Sequence, residues 1–323
     1  VLVLVGPTAS GKTDLLLELS SAGPASGLPA FEVVSADSMQ VYRGMDIGTA
    51  KPGSEELRRL PHRLIDIREP DEQYSVGDFV HLAAGACSGI SEAGRLPVLS
   101  GGTGFYVRNF IFGLPSSPAA SPELRDAVAR DLAAEGPEFL RAELEAGDPE
   151  SAARIHANDL YRLTRAVEIL RATGRPMAEF AASSLPRSPY RFLLVELARS
   201  REELRRRIDA RVDAMFARGL AAEVAALAAR GYGPEAPGMK AIGYREFFAK
   251  GIRGTDSLRG AGYAGGVSGD SAGGLERGPA DAESCLRDLS PAGLAAISEE
   301  IKLDTRQYAK RQETFFRGLP GLV

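Results

Sequence analysis

The sequence predicts an α/β protein built on a parallel sheet, and three observations point there. Through the first 115 residues, short apolar runs alternate with amphipathic segments, the pattern of parallel strands joined by helical crossovers. The strand signal then disappears between Ser116 and Arg187, which predicts an all-helical insertion. It returns at Arg191–Leu197 and extends the same sheet.

The elements follow in order. Val1–Val5 is a buried strand running into a glycine loop and a helix over Lys12–Leu19. Phe31–Ser35 is a second strand and Arg63–Ile67 a short third. Ser75-Val76-Gly77-Asp78 reads as a capping box opening a helix with Val76, Phe79, Val80, Ala83, Cys87 and Ile90 on its apolar face. Gly94 ends that helix, and Leu96–Ser100 is another strand before a second glycine loop. In the insertion, Pro122–Ala146 and Asn158–Ala172 are helical, the latter capped by Asn158. Ser200 to Glu203 forms another capping box, with Leu204, Ile208, Val212, Met215 and Phe216 facing inward behind it. Ten glycines fall between Gly251 and Gly278 with little to bury, so a flexible insertion is expected there. A helix over Pro291 to Arg317 closes the fold. These boundaries divide the chain into a core (1–115), the helical insertion (116–187), more core (188–253), the glycine-rich insertion (254–285) and the closing helix (286–323).

Composition narrows the function. The 323 residues suggest about two domains, and 44% apolar with 25% charged residues is the mixture of a soluble globular protein. No apolar stretch approaches the roughly 20 residues of a membrane helix. The opening Val1–Val5 run is too short for a signal-peptide core and lacks a basic lead-in, so a cytoplasmic location is expected. Its abrupt start predicts a few further residues upstream. Two cysteines, Cys87 and Cys285, and three histidines exclude a disulfide framework and a Cys/His zinc site. A net charge of −4 argues against coating nucleic acid by bulk charge but leaves room for a local basic groove.

The strongest motif is Gly6-Pro7-Thr8-Ala9-Ser10-Gly11-Lys12-Thr13, a G-x-x-x-x-G-K-[ST] P-loop between strand and helix. Glycines let backbone N–H groups converge on phosphate oxygens, and the helix N-terminus adds partial positive charge. Lys12 neutralises a terminal phosphate, and the Thr13 hydroxyl suits Mg²⁺. The fold class is therefore a P-loop NTPase-like parallel sheet flanked by helices, with an all-helical insertion domain. A P-loop ATPase or kinase usually carries an acid at the end of an apolar strand. Here Leu96–Ser100 leads into Gly101-Gly102-Thr103-Gly104 without one, whereas Phe31–Ser35 ends near Asp37. From the residues alone, Asp37 is a metal organiser, a general base or a helix cap.

Basic residues recur at helical spacing. Arg207 and Arg211 share one helix face, as a diphosphate clamp or as a solvated face paired with Glu203 and Asp209. Arg162 and Arg165 lie together on the Asn158 helix. Lys302, Arg306 and Lys310 recur every four residues in the closing helix, with Tyr308, Phe315 and Phe316 interleaved. Such patterns suit a nucleic-acid backbone and a stacked base, or simply a solvated face.

Taken together, GPTASGKT at Gly6–Thr13, ADSMQVYRGMDIGTAKP at Ala36–Pro52, PHRLIDIREP at Pro61–Pro70, GGTGFY at Gly101–Tyr106, the run Ala153–Arg175, AIGYRE at Ala241–Glu246 and TRQYAKRQ at Thr305–Gln312 resemble the tRNA dimethylallyltransferase family. The resemblance implies a transferase acting on tRNA. It would move the dimethylallyl group of dimethylallyl diphosphate to N6 of the adenosine immediately 3′ of the anticodon, with Mg²⁺ as cofactor. It implies that Gly6, Pro7, Thr8, Ala9, Ser10, Gly11, Lys12, Thr13 and Arg211 hold the diphosphate, and that Thr13 ligates the metal. By the same resemblance Asp37 is the general base, Thr103 approaches the reacting centre, and Asp37, Ser38, Met39 and Gln40 contact the flipped adenine. The implied tRNA contacts are Thr103, Arg125, the run Tyr161, Arg162, Leu163, Thr164 and Arg165, and the run Ala241, Ile242, Gly243, Tyr244, Arg245 and Glu246. The closing helix adds Thr305, Arg306, Gln307, Tyr308, Ala309, Lys310, Arg311 and Gln312.

The resemblance also marks departures. Some members carry a C-terminal zinc module, which is not expected here, and the frequent Thr-Trp-Phe is Thr314-Phe315-Phe316, altering one aromatic contact. A monomer without membrane attachment is expected, its partners being the tRNA anticodon stem-loop and dimethylallyl diphosphate. The competing readings are an adenylate isopentenyltransferase, a P-loop kinase or ATP-driven switch, and a non-enzymatic tRNA-binding module.

Overall fold

A computed structural model describes residues 1–118, 120–180, 185–187, 189–250 and 289–321. The expected glycine-rich insertion, 254–285, lies outside the described residues. The chain divides into two compact units, Val1–Phe110 with Tyr190–Val323, and Ile111–Pro189.

The first unit holds a five-stranded parallel sheet in the order β3-β2-β4-β1-β5. Its strands are β1 (Leu2–Val5), β2 (Phe31–Ser35), β3 (His62–Arg63), β4 (Leu96–Gly101) and β5 (Leu193–Glu196). Val3 pairs with both Leu99 and Leu194, placing β1 between β4 and β5, and β4 is the central strand. The helices here are α1 (Lys12–Ala22), α2 (Ser54–Arg59), α3 (Val76–Glu92) and α4 (Gly104–Phe112). After the second unit come α9 (Arg201–Ala217), α10 (Leu220–Ala229), α11 (Arg245–Lys250) and α12 (Pro291–Phe316). Central strands with both faces covered read as continuous apolar runs, and Val3, Val33, Val34, Val98 and Leu99 are fully buried. Leu4, Leu16, Leu17, Phe31, Val33, Leu60 and Val98 form one core cluster. Each such side chain contributes about 1.5–3 kcal/mol by leaving water.

Parallel strands end together, so the loops after β1, β2, β4 and β5 share the carboxyl edge of the sheet, where open α/β sheets bind ligands. Ala36 N donates to Ser100 O at 2.8 Å and Thr103 N to Ala36 O at 3.1 Å, stitching the loop after β2 to the loop after β4. Gly101 is required for that approach, because a Cβ there would stand 2.1 Å from Ala36 O.

The second unit is helical: α5 (Pro122–Glu135), α6 (Pro137–Gly147), α7 (Pro149–Arg154) and α8 (Leu160–Thr173). Val128, Leu140, Leu144, Leu163 and Val167 meet in its core. Arg171 locks it by binding Glu143 at 2.6 Å and Asp131 at 2.7 Å.

Several boundaries differ from expectation for local reasons. The helix expected over Pro122–Ala146 is two, broken where Gly136 takes φ 82° before Pro137. Asp159, not Asn158, caps α8, its carboxylate accepting from Arg162 N. The third strand stops at Arg63 because Leu64 turns to φ 65°. α2, α4, α7, α10 and α11 are additional elements that the periodicity reading did not mark. The Ser75 capping box forms as expected, whereas at Ser200 only the hydroxyl half is present, accepting from Glu203 N while the Glu203 carboxylate turns to Arg199.

Candidate active site

One cavity of about 870 Å³ opens at the carboxyl edge of the sheet, lined among others by Lys12, Thr13, Asp37, Gly102, Arg211 and Tyr308. The P-loop leaves β1 at Gly6 and enters α1 at Lys12. Gly11 has φ 97° and Ala9 φ 62°, the curled backbone that turns amides inward. Among the described residues, the amides of Lys12, Thr13 and Asp14 find no backbone acceptor, so the first turn of α1 presents free donors.

Cations surround this loop. Lys12 Nζ donates to Gly6 O at 2.8 Å and Pro7 O at 2.9 Å. Arg207 Nε donates to Ala9 O at 2.7 Å, Arg199 Nε to Ser10 O at 3.1 Å, and Arg211 to the Thr8 hydroxyl at 3.2 Å. Arg207 and Arg211 thus share the loop-facing side of α9, while Glu203 pairs with Arg199 and Asp209 with Arg306. Burial, with the neighbouring Arg211 charge adding to it, lowers Lys12 to a pKa of about 8. Burial likewise lowers Arg211, opposed chiefly by the Asp37 carboxylate. A site that strains its own positive charges in this way is short of an anion.

Asp37 follows β2. Its Oδ1 accepts from Met39 N at 2.8 Å and Gln40 N at 3.3 Å, an Asx-type turn rather than a helix cap. Among the described residues no donor reaches its other oxygen. Thr103 stands beside it, its hydroxyl accepting from Ser38 N at 3.1 Å. The Tyr308 hydroxyl joins Thr103 and Gln312, and burial pushes its pKa up to about 12, keeping it protonated.

The loop carrying Asp37 is anchored from behind. Glu223 accepts from Asp46 N, Ile47 N and Gly48 N at 3.0, 2.7 and 3.1 Å, and from the Tyr244 hydroxyl at 2.6 Å. Lys51, buried, donates to Tyr42 O at 2.8 Å and to Asp46 and Asp66 at 2.6 and 2.5 Å. Gln40, expected at adenine, spends its amide on Thr49 O and Ala50 O at 3.3 and 3.4 Å. Glu223 and Arg199 escaped the sequence reading. The one available signal for Glu223 was its being the sole charge in Leu220–Ala229.

The other expected residues separate by exposure. Tyr161 is 81% exposed, and Arg125, Arg162, Arg245, Gln307, Lys310 and Arg311 also face solvent. Leu163, Ala241, Gly243, Tyr244, Glu246 and Ala309 are buried, so they shape the scaffold. Arg165 holds Glu168 at 3.1 Å and Pro118 O at 3.0 Å. Thr164 bonds to Tyr161 O at 3.1 Å. Arg306 and Gln312, expected at tRNA, are bound to Asp209 and to backbone. Ile242, Thr305 and Tyr308 line the cavity.

Mg²⁺ fits this donor set. Among the described residues no group of acidic, His or Cys side chains could hold a metal by itself. Mg²⁺, however, is commonly held through one protein oxygen, waters and substrate phosphates. The Thr13 hydroxyl lines the cavity in the first turn of α1 and accepts no hydrogen bond there from the described residues.

A family model described as IPP transferase matches residues 40–319. The chain is 39% identical over 323 residues to tRNA dimethylallyltransferase 1 of Trichlorobacter lovleyi, spanning 100% of this chain and 92% of that protein. It is 40% identical over 320 residues to tRNA dimethylallyltransferase of Geobacillus thermodenitrificans, spanning 98% and 87%. Among solved structures, it is similar to the full-length tRNA isopentenylpyrophosphate transferase of Bacillus halodurans, with TM-score 0.61, 35% identity, and coverage of 100% of this chain and 88% of that one. A eukaryotic dimethylallyltransferase acting on tRNA gives TM-score 0.71 at 25% identity, over 100% and 73%.

Proposed function

The chain belongs to the IPP transferase family, and from that premise we propose that it transfers the dimethylallyl group of dimethylallyl diphosphate to N6 of the adenosine 3′-adjacent to the anticodon of tRNA. One observation carries the reading: a phosphate-binding loop ringed by Lys12 and Arg211 shares a single cavity with the carboxylate of Asp37.

The chemistry needs that pairing. The N6 lone pair attacks the allylic carbon, its C–O bond breaks, and the electron pair leaves on the diphosphate. Negative charge collects on the leaving oxygens, which the α1 amides, Lys12 and Arg211 are positioned to receive. Mg²⁺, held through Thr13, supplies further neutralisation of the diphosphate when bound. The free oxygen of Asp37 takes the N6 proton as the C–N bond forms, a contribution of about 10²–10⁴-fold. In this reading the Thr103 hydroxyl, held beside the Asp37 turn by Ser38 N, approaches the reacting centre. Adenine must leave its stack, at a cost of about a few kcal/mol. Contacts from exposed Tyr161, Arg162, Arg125, Lys310 and Arg311 offset that cost by stacking and phosphate pairing. The acidic total charge is no obstacle, because a lined groove suffices. Action as a monomer, and a cytoplasmic location where the tRNA substrate is met, are part of the same proposal.

The test supplies labelled dimethylallyl diphosphate with tRNA, AMP and ATP in separate reactions. Label in tRNA alone is expected; label in AMP or ATP would replace this reading with a free-nucleotide prenyltransferase.

A further inference from the structure

Gln312 connects two loops that the reaction must keep in register. Its Oε1 accepts from the amide of Thr8 at 2.8 Å, across 304 positions of sequence. Its Nε2 donates to Gly102 O at 2.8 Å, across 210 positions. Both ends of one carboxamide are therefore committed, and the residue is 5% exposed. The two loops have made room for it: a Cβ on Gly102 would stand 2.3 Å from Gln312 Nε2. Two residues on, a Cβ on Gly104 would meet the Phe315 ring at 2.4 Å, so α12 presses on this turn at two glycines.

From this bridge we infer that Gln312 is a positioning residue: it fixes the spacing between the phosphate loop and the Thr103 turn, rather than contacting tRNA. The inference rests on the prenyl-transfer reading above. Thr8 belongs to the loop that grips the leaving group. Gly102 precedes Thr103, whose amide is tied to Ala36 O beside the Asp37 turn. Gln312 thus spans the gap between the donor's handle and the acceptor's base. By occupying Thr8 N it satisfies an amide at the start of the loop, while those of Lys12, Thr13 and Asp14 stay available for phosphate. Only a side chain with an acceptor and a donor on one planar head fits both partners. Glutamate keeps the size and the acceptor but sets an oxygen against Gly102 O. Methionine keeps the volume and leaves both backbone groups unpaired.

The test is single-turnover transfer from labelled dimethylallyl diphosphate to tRNA by wild type, Gln312→Glu and Gln312→Met, since that rate constant does not depend on the folded fraction. Misplacement by about 1 Å costs on the order of a hundredfold. A drop of at least tenfold is expected in both variants, with tRNA affinity and the KM for dimethylallyl diphosphate within about threefold of wild type. Unchanged single-turnover rates in either folded variant would overturn the inference. A loss confined to tRNA affinity would also overturn it, making Gln312 a tRNA contact. If wild type transfers no label, the prenyl-transfer reading fails instead. The bridge is then judged from the crystal structure of Gln312→Met, where an unmoved Gly102–Thr103 turn relative to Thr8 overturns it.

Discussion

Arg306 grips Asp209 through two guanidinium nitrogens, at 2.9 and 2.5 Å. One turn earlier Lys302 binds Asp213 at 2.7 Å, so α12 is fastened along the helix whose other side sets Arg207 and Arg211 on the P-loop. The basic period that reads in sequence as a nucleic-acid face is largely spent inside the protein. Arg306→Ala is expected to cost about 1 kcal/mol of stability and to slow transfer. The slope of tRNA affinity against salt should stay unchanged. A slope reduced by about one in filter-binding titrations would show that Arg306 meets phosphate.

Arg162 and Tyr161 are the contrasting pair. Arg162 has 72% of its side chain exposed and Tyr161 is 81% exposed. Arg162→Ala should lower the salt slope of tRNA binding by about one. Tyr161→Ala should weaken binding by about 1–3 kcal/mol, the range for a stacked base, without changing the slope. Equal slopes in all three proteins would remove Arg162 from the phosphate contacts.

Lys12 makes the reaction pH-dependent. Burial brings its pKa from 10.5 down to about 8, so the free enzyme loses the charge that binds diphosphate as pH rises through about 8. The ratio kcat/KM for dimethylallyl diphosphate, which reports the free enzyme, should fall above that pH. Stability runs the other way. Between about 8 and 10.5 the unfolded chain holds more protons at this residue than the folded one, so its contribution to stability rises with pH. Lys12→Met should accordingly be more stable at neutral pH, by roughly 1 kcal/mol, and nearly inactive. A destabilised Lys12→Met in urea titrations would contradict this.

Asp37→Ala should cut turnover by about 10²–10⁴-fold and leave tRNA affinity intact. Full turnover in the variant would mean that the N6 proton leaves by another route.

What was legible in the sequence is what local chemistry encodes. The P-loop declares itself because glycines, Lys12 and Thr13 must be contiguous to curl around phosphate. The Ser75 and Ser200 caps do so because each bond closes within four residues. Asp37 was legible as an acid after a strand, though its turn came as an Asx bond to Met39 rather than a helix cap. The braces were not legible. Arg207 meets Ala9 across 198 positions, and Glu223 meets Ile47 across 176, both through backbone atoms that every residue possesses. A partner of that kind leaves no mark on residue identity. The same holds for Gln312, whose motif places it in a tRNA-contacting segment while the fold turns its amide inward to Thr8.

The most direct measurement is the identity of the molecule in the P-loop of crystals grown with Mg²⁺, ATP and dimethylallyl thiodiphosphate together. Density for the thiodiphosphate on the α1 amides, its hydrocarbon end directed toward Asp37, is the expected result. A purine triphosphate filling that cradle and leaving no space for an isoprenoid chain would contradict it.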